Sequence, residues 1–556
     1  MMKNEIRALV ASAEGETAFT CPSGTIIETL ASRFGTLPAP LAAVKVNNEI
    51  LPLSAPLEIN ARLEPVLMDS SEGAAIYRHS LAFLLAVAAR ELFPLKGLNV
   101  GHSLGYGYYY TFLEGRLESA EIETLQRRMR ELVKENLPIS RCWMAYAEAM
   151  EIFTKNRQDD TALLLEGRSE SKVMVNECGD FIDMYLFPLV NRTGLLDTFE
   201  LMPYQDGFLL RFPASGAGKR LEPFEDSPKI FAVYDEYKKW GRIVGVHSVG
   251  RLNRIAADDS IRDYIRIAEA FHEKKYAEIA DQIFAHKDSV RTVLIAGPSS
   301  SGKTTSAKRL SIALKVLGIQ PIAIGLDNYY LGPEKTPKDE NGDPDFERLE
   351  ALDVPYLNEQ ILTLLSGGEI TLPVYDFKLG RRREEGGKKL RLERRSVLII
   401  EGIHGLNNAL TPDIARETKF KVYVSALTQL NLDDHNRIPT SDNRLLRRMV
   451  RDFQFRGAGA LRTLQMWPSV QRGERNYIFP FQNSADATFN SALDYELAVL
   501  KFYAEPLLRS VKPHLKEYSE AVRLLSFLSN FAPIPPQHVP GTSILREFIG
   551  DSEFKY

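Results

Sequence analysis

Cysteine is almost missing from this chain. Three residues (Cys21, Cys142 and Cys178) are scattered over 556 positions, so neither a disulfide framework nor a thiolate zinc site is available. So few thiols suit a reducing compartment, and a cytoplasmic protein is expected. Long apolar runs are missing as well. The richest stretch, 81–89, falls far short of the roughly 18–20 residues needed to span a bilayer. The opening MMKNEIRALVASAEGE has acidic residues early and no apolar segment before a small-residue cleavage site, unlike a signal peptide. Charge of one sign is also lacking: Lys plus Arg total 69 and Asp plus Glu 73, for a net charge of −4. A basic nucleic-acid coat and an acidic solubility tail are both excluded, and any anion site must be a local cluster.

What is present is ordinary globular material: 44% hydrophobic, 26% charged and 10% aromatic residues. At about 100–200 residues per domain the length predicts roughly three to five domains in a soluble chain. Residues 1–67 read as strand (IRALVASAEG), helix (TIIETLASRFG) and strand (AAVKVNNEILPL), with a turn at Asn47-Asn48. From about 72 longer helices follow, RHSLAFLLAVAARELF and the densely charged ESAEIETLQRRMRELVKEN. Segments broken by Gly and Pro occupy 159–215, and a largely helical connector spans about 222–290. From 291 the rhythm is strand, loop, helix, strand, which argues a parallel α/β sheet. A tail from about 511 holds one more helix, SEAVRLLSFLSNF, and a Pro-rich turn. The expected parts are therefore 1–67, 72–221, 222–290, 291–510 and 511–556.

The strongest chemical signal is GPSSSGKT, 297–304, which matches G-x-x-x-x-G-K-[ST] between an apolar run and an amphipathic helix. Glycines let backbone amides curl around a phosphate, and the helix N-terminus adds a positive dipole end. In that setting Lys303 bridges the β- and γ-phosphates and the Thr304 hydroxyl takes a Mg²⁺ position. Asp327 follows the second apolar strand (PIAIGLD) and Glu401 ends another (SVLIIEG). Carboxyl ends of strands line the ligand crevice of open α/β sheets. Asp327 is thus placed as the base for a substrate hydroxyl, near the metal, and Glu401 as a metal carboxylate. Either one alone is better explained as a cap of the next helix or loop; two after one phosphate loop favour chemistry. The run DNRLLRRMVRDFQFRG, 442–457, puts Arg444, Arg448 and Arg451 on one helix face, with Arg447 beside it and Arg456 beyond. Next to a phosphate loop it reads as a lid carrying guanidinium charge to a triphosphate, although arginine runs elsewhere are usually solvated faces.

From about 291 to 505 these residues resemble the uridine kinase and phosphoribulokinase branch of P-loop kinases. GPSSSGKTT is similar to the family's phosphate loop, which implies nucleotide contacts from Gly297, Ser299, Ser300, Ser301, Gly302, Lys303, Thr304 and Thr305. LDNYY (326–330) is similar to its catalytic Asp element and implies Asp327 as base, with Tyr330 on the acceptor side. DFERLEALD implicates Phe346 and Glu347 at a ribose, PVYDF implicates Tyr375 at a base, and IIEGIHGL implicates Glu401 at the metal. The lid likeness implies Arg448 and Arg451 in catalysis and Arg456 on the nucleotide; Gln465 falls near a substrate glutamine. The chain departs from the family where a pyrimidine-reading His is expected, at Gly380, followed by Arg381, Arg382 and Arg383. Ala458 replaces a lid Arg, and an insert including NLDDHNRIPTS precedes the lid helix. Its Asp433-Asp434-His435 cluster is expected to be a polar loop, not a metal site.

The N-terminal half carries further likenesses. Residues 1–67 resemble a TGS domain, a β-grasp unit. Residues 75–215 resemble the second additional, editing-type domain of threonyl-tRNA synthetase, through YRHSLAFLLAVAARELFP, GHSLGYGYYYTF and NRTGLL. That family's hydrolytic site implies two histidines four apart plus a later Cys and His. Here only His79 remains: Phe83, Tyr185 and Leu189 take the other places, and Thr111 replaces an acid. One imidazole cannot hold a metal, so a packed His79 and a binding or regulatory module are expected. The order of parts resembles bacterial fused uridine or nucleoside kinases. The likeness implies an enzyme with multidomain α+β and α/β fold, using ATP and Mg²⁺ on a small nucleoside. It also implies a homo-oligomer and no membrane role. RNA contact through the N-terminal half, as in an RNA- or ribosome-associated ATPase switch, is the alternative.

Overall fold

The computed structural model describes residues 5–12, 15–340, 342–376, 379–383, 386–393 and 395–555. Phe377 of the PVYDF segment lies outside them. The first unit is a five-stranded sheet in the order Gly15–Pro22, Glu5–Ser12, Ala61–Leu67, Leu41–Val46, Glu49–Leu51. Its central pair runs parallel and its outer pairs antiparallel. Asn47 and Asn48 both take positive φ, 51° and 65°, the left-handed pair that a two-residue hairpin turn needs. The expected helix arrives as a 3₁₀ helix, Ile27–Phe34. Its tighter turn sets Ile27 and Leu30 on one buried face, with Phe34 closing the same core.

The second unit opens with helix Ser71–Leu92, capped by the Ser70 hydroxyl accepting from Gly73 N at 3.0 Å. Every residue of its 81–89 run is buried, which explains an apolar stretch without amphipathic period. Among the described residues no helix is long and apolar enough to cross a membrane. The same helix packs on the four-stranded antiparallel sheet Glu200–Tyr204, Gly207–Arg211, Gly107–Phe112, Leu98–Ser103 and on helix Ser119–Glu135. A three-stranded sheet, Ser140–Ala145, Lys172–Cys178 and Phe181–Asp183, stands beside them.

The C-terminal region is built on a five-stranded parallel sheet in the order Gln320–Gly325, Ser396–Glu401, Thr292–Ala296, Lys419–Ser425, Ala487–Asn490. Its three inner strands are almost wholly buried, as expected of a sheet covered on both faces. The helical segment before it is no loose connector. Helix Ser260–Ala285 lies along helix Lys303–Val316, where Arg309 pairs with Glu269 at 3.2 Å and Tyr276 meets the Ser306 hydroxyl at 3.0 Å. The chain is thus multidomain and mixed α/β, with its phosphate loop at the carboxyl end of the central strand.

Two segments carry more than sequence expects. The 433–435 segment is a polar loop, and a buried one: Asp433, Asp434 and His435 pack against the N-terminal half. His435 Nδ1 and Asp183 Oδ2 lie 2.7 Å apart, and Thr161 donates to Asp434 from its backbone N at 2.9 Å and its hydroxyl at 3.1 Å. Burial alone would lower the His435 pKa, but Asp183, Asp434 and Asp433 carry it up to about 9. The tail, for its part, is more than a helix (Tyr518–Leu528) and a Pro-rich turn. It ends in a short helix, Arg546–Ile549, packed on helix Thr440–Arg456 and the phosphate loop.

Candidate active site

Strand Thr292–Ala296 delivers the loop 297–302 to the N-terminus of helix Lys303–Val316. A Cβ on Gly297 would stand 1.9 Å from the Val424 carbonyl oxygen, so only glycine lets the loop leave against the neighbouring strand. Ser300 and Gly302 take φ of 56° and 85°, which turns the chain back into the helix. Lys303 reaches back over the loop to donate to Pro298 O at 3.0 Å. Burial lowers its pKa, against the opposing pull of Glu401, Asp327 and Glu547.

The parallel register pairs Gly325 with Glu401 and Ile295 with Glu401. Asp327, two residues beyond Gly325 in the turn Leu326–Tyr329, and Glu401 therefore stand at the ends of adjacent strands beside the loop. The Thr304 hydroxyl donates to Glu401 Oε1 at 3.1 Å. Burial and then the Asp327 charge push the Glu401 pKa up to about 7. A desolvated carboxylate bonded to a hydroxyl and facing a second carboxylate is a donor set that suits a hard divalent cation. Among the described residues no group of three His, Cys, Asp or Glu side chains is arranged to hold a metal alone.

The arginine run divides in two. Arg444 is buried and bidentate to Glu474, with Nη2 donating to Oε2 at 2.7 Å, while fully buried Arg447 donates to Glu496 at 2.6 Å. These two hold the core of the helix, so the expected lid is anchored along its first half. Arg448 donates to the Ser299 hydroxyl at 2.7 Å and pairs with Asp452 at 3.3 Å. Arg451 and Arg456 also pair with Asp452, at 2.7 and 3.7 Å. Asp452 thus gathers three guanidiniums beside the loop. Arg456 lies within electrostatic range of Asp327 and Tyr330.

On the acceptor side Tyr330 meets Phe346 edge-on at 5.6 Å and Tyr375 at 5.8 Å. Glu347 is partly exposed, but its Oε2 is buried and lacks a hydrogen-bond partner; desolvation and then Glu474 raise its pKa to about 7. It packs on Gly473, where a Cβ would fall 2.3 Å from its own. Gln465 sits exposed two turns away on the same helix, Ala460–Tyr477, and is not brought into this cluster. Arg382, beside the position where a His was expected, is spent on Asp353 at 3.0 Å and the Tyr329 carbonyl at 2.9 Å. Arg383 pairs with Asp376 at 2.7 Å. Sequence reasoning missed Glu474, which accepts from Ser299 N at 3.0 Å, as well as Asp452 and Glu547. The first and last lie 175 and 242 residues from their partners, with no motif to flag them.

In the N-terminal half His79 stacks on Phe187 at 4.6 Å, its pKa lowered to about 3 mainly by burial. Phe83 meets Tyr185 edge-on at 5.5 Å, and Leu189 is buried in the same cluster. Thr111 lies on strand Gly107–Phe112, partly buried. His79, Phe83, Tyr185 and Leu189 are all engaged in packing.

A phosphate loop on the central strand of a parallel sheet, with carboxylates at the neighbouring strand ends, defines a P-loop domain of the kinase type. Residues 292–498 match the model of the Phosphoribulokinase / Uridine kinase family. The N-terminal region is similar to threonine–tRNA ligases: 34% identical over 182 residues to that of Desulforamulus reducens, covering 32% of this chain and 28% of that protein. Threonine–tRNA ligase 2 of Bacillus subtilis is 35% identical over 187 residues, covering 32% of this chain and 29% of that protein. The chain spans less than a third of the length of these curated relatives. A solved structure of a possible uridine kinase from Bacillus stearothermophilus is 20% identical with a TM-score of 0.27, covering 42% of this chain and 100% of that one. One chain therefore joins a synthetase-like region to a kinase-family domain.

Proposed function

We propose that the chain is an ATP- and Mg²⁺-dependent kinase that transfers the γ-phosphoryl group to the 5′-hydroxyl of a nucleoside, with uridine and cytidine as the first acceptors to test. The observation that carries this reading is the Thr304–Glu401 bond beside the phosphate loop, with Asp327 on the next strand end. Thr304 and Glu401, with Asp327 nearby, would hold Mg²⁺ together with phosphate oxygens, where the cation would neutralise charge on the transferring group. Asp327 accepts the acceptor hydroxyl's proton, and its exposed position leaves room for that hydroxyl. Lys303, Arg448 and Arg451 stabilise charge on the moving phosphoryl group, the arginines being held ready by Asp452. Glu347 suits a ribose hydroxyl, because its unpartnered Oε2 can accept from one. Tyr330, Phe346 and Tyr375 offer ring faces and edges to a base.

The test is a panel of nucleosides with Mg-ATP, followed by product mass, in the presence and absence of structured RNA. A phosphorylated nucleoside that disappears in Asp327→Asn, with ATP binding retained, supports the reading. ATP hydrolysis stimulated by RNA without any phosphorylated nucleoside would move the assignment to an RNA-associated switch, which the likeness to threonine–tRNA ligases favours.

A further inference from the structure

The tail closes on the phosphate loop at one point with a charge. Glu547, on the short helix Arg546–Ile549, accepts from the Thr305 backbone N at 3.1 Å and from the Thr305 hydroxyl at 2.6 Å. Thr305 is the third residue of helix Lys303–Val316. Its amide is one of the donors that a helix start leaves without an intrahelical partner, and that a phosphate would take. The first intrahelical bond there is Ser306 N to Gly302 O at 3.0 Å. Beside this contact Ile544 presses on the loop, with its Cδ1 2.4 Å from where a Cβ on Gly302 would stand. The Phe548 ring lies 5.0 Å from the Arg447 guanidinium, which itself donates to Ser491 and Ser300 of the loop environment.

Two carboxylates thus sit on amides of the loop and of the helix turn that follows it, and they differ in their support. Glu474, on Ser299 N, is buried and neutralised by the Arg444 fork. Glu547 is partly exposed, and among the described residues no lysine or arginine forms an ion pair with it. The Glu547 charge is felt by both Lys303 and Glu401. A carboxylate with that placement competes with a phosphate for the same donor and repels it.

We infer that Glu547 is an intramolecular competitor of the nucleotide: the tail strap 543–550 holds its carboxylate on the phosphate-binding amides, and nucleotide binds by displacing it. The inference rests on the loop binding a nucleotide phosphate, as proposed above. The strap sets affinity, because an apparent Kd equals the intrinsic value divided by the competent fraction; a contact closed about nine-tenths of the time weakens binding about ten-fold. The strap's buried residues Ile544, Leu545, Phe548 and Ile549 keep the segment on the protein while the carboxylate moves.

The experiment measures ADP and Mg-ATP affinity by calorimetry on the full chain, for wild type, Glu547→Gln, Glu547→Ala and, as a loop control, Lys303→Ala. Both Glu547 variants are expected to bind about ten-fold tighter than wild type. Equal or weaker binding by folded variants overturns the strap and leaves the kinase reading standing. Failure of wild type and both Glu547 variants to bind any nucleotide, with the Lys303 variant no different, overturns the nucleotide loop and the strap together. The wild-type chain supplies an independent measurement should the variants misfold. Hydrogen exchange across 543–550 is expected to quicken when ADP is added, and slower or unchanged exchange overturns the proposal.

Discussion

Glu401 illustrates how one side chain couples chemistry to pH. Its folded pKa, raised to about 7 by burial and Asp327, lies above the ~4.3 of an unperturbed glutamate. The stability it contributes is therefore full below about 4.3 and lost as pH rises through about 7, where the carboxylate must ionise in a desolvated place. A divalent cation bound there with nucleotide, as proposed, would relieve that cost. We expect Mg-ADP to raise the melting temperature more at pH 8 than at pH 6, and Asp327→Asn, which removes the like charge, to shift this difference to lower pH. Thermal unfolding at both pH values checks it. Gly297 answers to sterics alone. Gly297→Ala drives a methyl into the Val424 carbonyl, so a loss of about 1–3 kcal/mol is expected together with loss of nucleotide binding. An unfolding curve and an ADP titration identical to wild type would contradict that.

Elements behaved as their local patterns predicted wherever one pattern had one structural solution. The strand–loop–helix around 297–304 and the Asn47-Asn48 turn were legible because spacing and backbone conformation are set by a few adjacent residues. The segment 27–34 kept its helical face but took the tighter 3₁₀ winding, a choice made by packing on its sheet and not by the residues alone. The Asp433-Asp434-His435 cluster reads as a polar loop from sequence, where its charge is visible and its burial is not. Its His435 is held at a pKa of about 9, above the ~6.5 of a free imidazole. The contribution of the protonated pair is thus full below about 6.5 and lost as pH rises through about 9. His435→Gln should destabilise by about 3–5 kcal/mol near neutrality, since it leaves Asp183 buried without its counter-charge. It should also flatten the decline in stability between pH 7 and 9.5; urea unfolding across that range tests both effects.

At the scale of the whole molecule, the insert and the tail both make contacts across the two halves. The insert leads directly into helix Thr440–Arg456, while Arg523 of helix Tyr518–Leu528 clamps Asp442 in that helix's first turn at 2.6 and 2.9 Å. The same Arg523 lies over Phe187, on which His79 stacks. Deleting 1–221 uncovers the buried Asp433, Asp434 and His435. The remaining chain is expected to aggregate or melt at lower temperature, as read by calorimetry and light scattering. Asp183→Asn, kept in the full chain, should alter nucleotide affinity a few-fold through the helix it helps to place; an unchanged Kd in a folded variant would show the halves to be energetically independent.

Scarce cysteine excluded a disulfide framework and a thiolate zinc site from the sequence alone, which likewise holds no run long and apolar enough for a membrane-spanning helix. The same sequence determined the phosphate loop, the carboxylates Asp327 and Glu401 and the parallel sheet, because each is written in residues close together or in a repeating period. Only the tertiary structure decided which arginines face the loop and which brace the core. It alone decided, too, that a histidine loop plugs a distant half and that Glu547 reaches Thr305. These are single pairings across 252 and 242 residues, and a pairing that long leaves no period for a sequence to show.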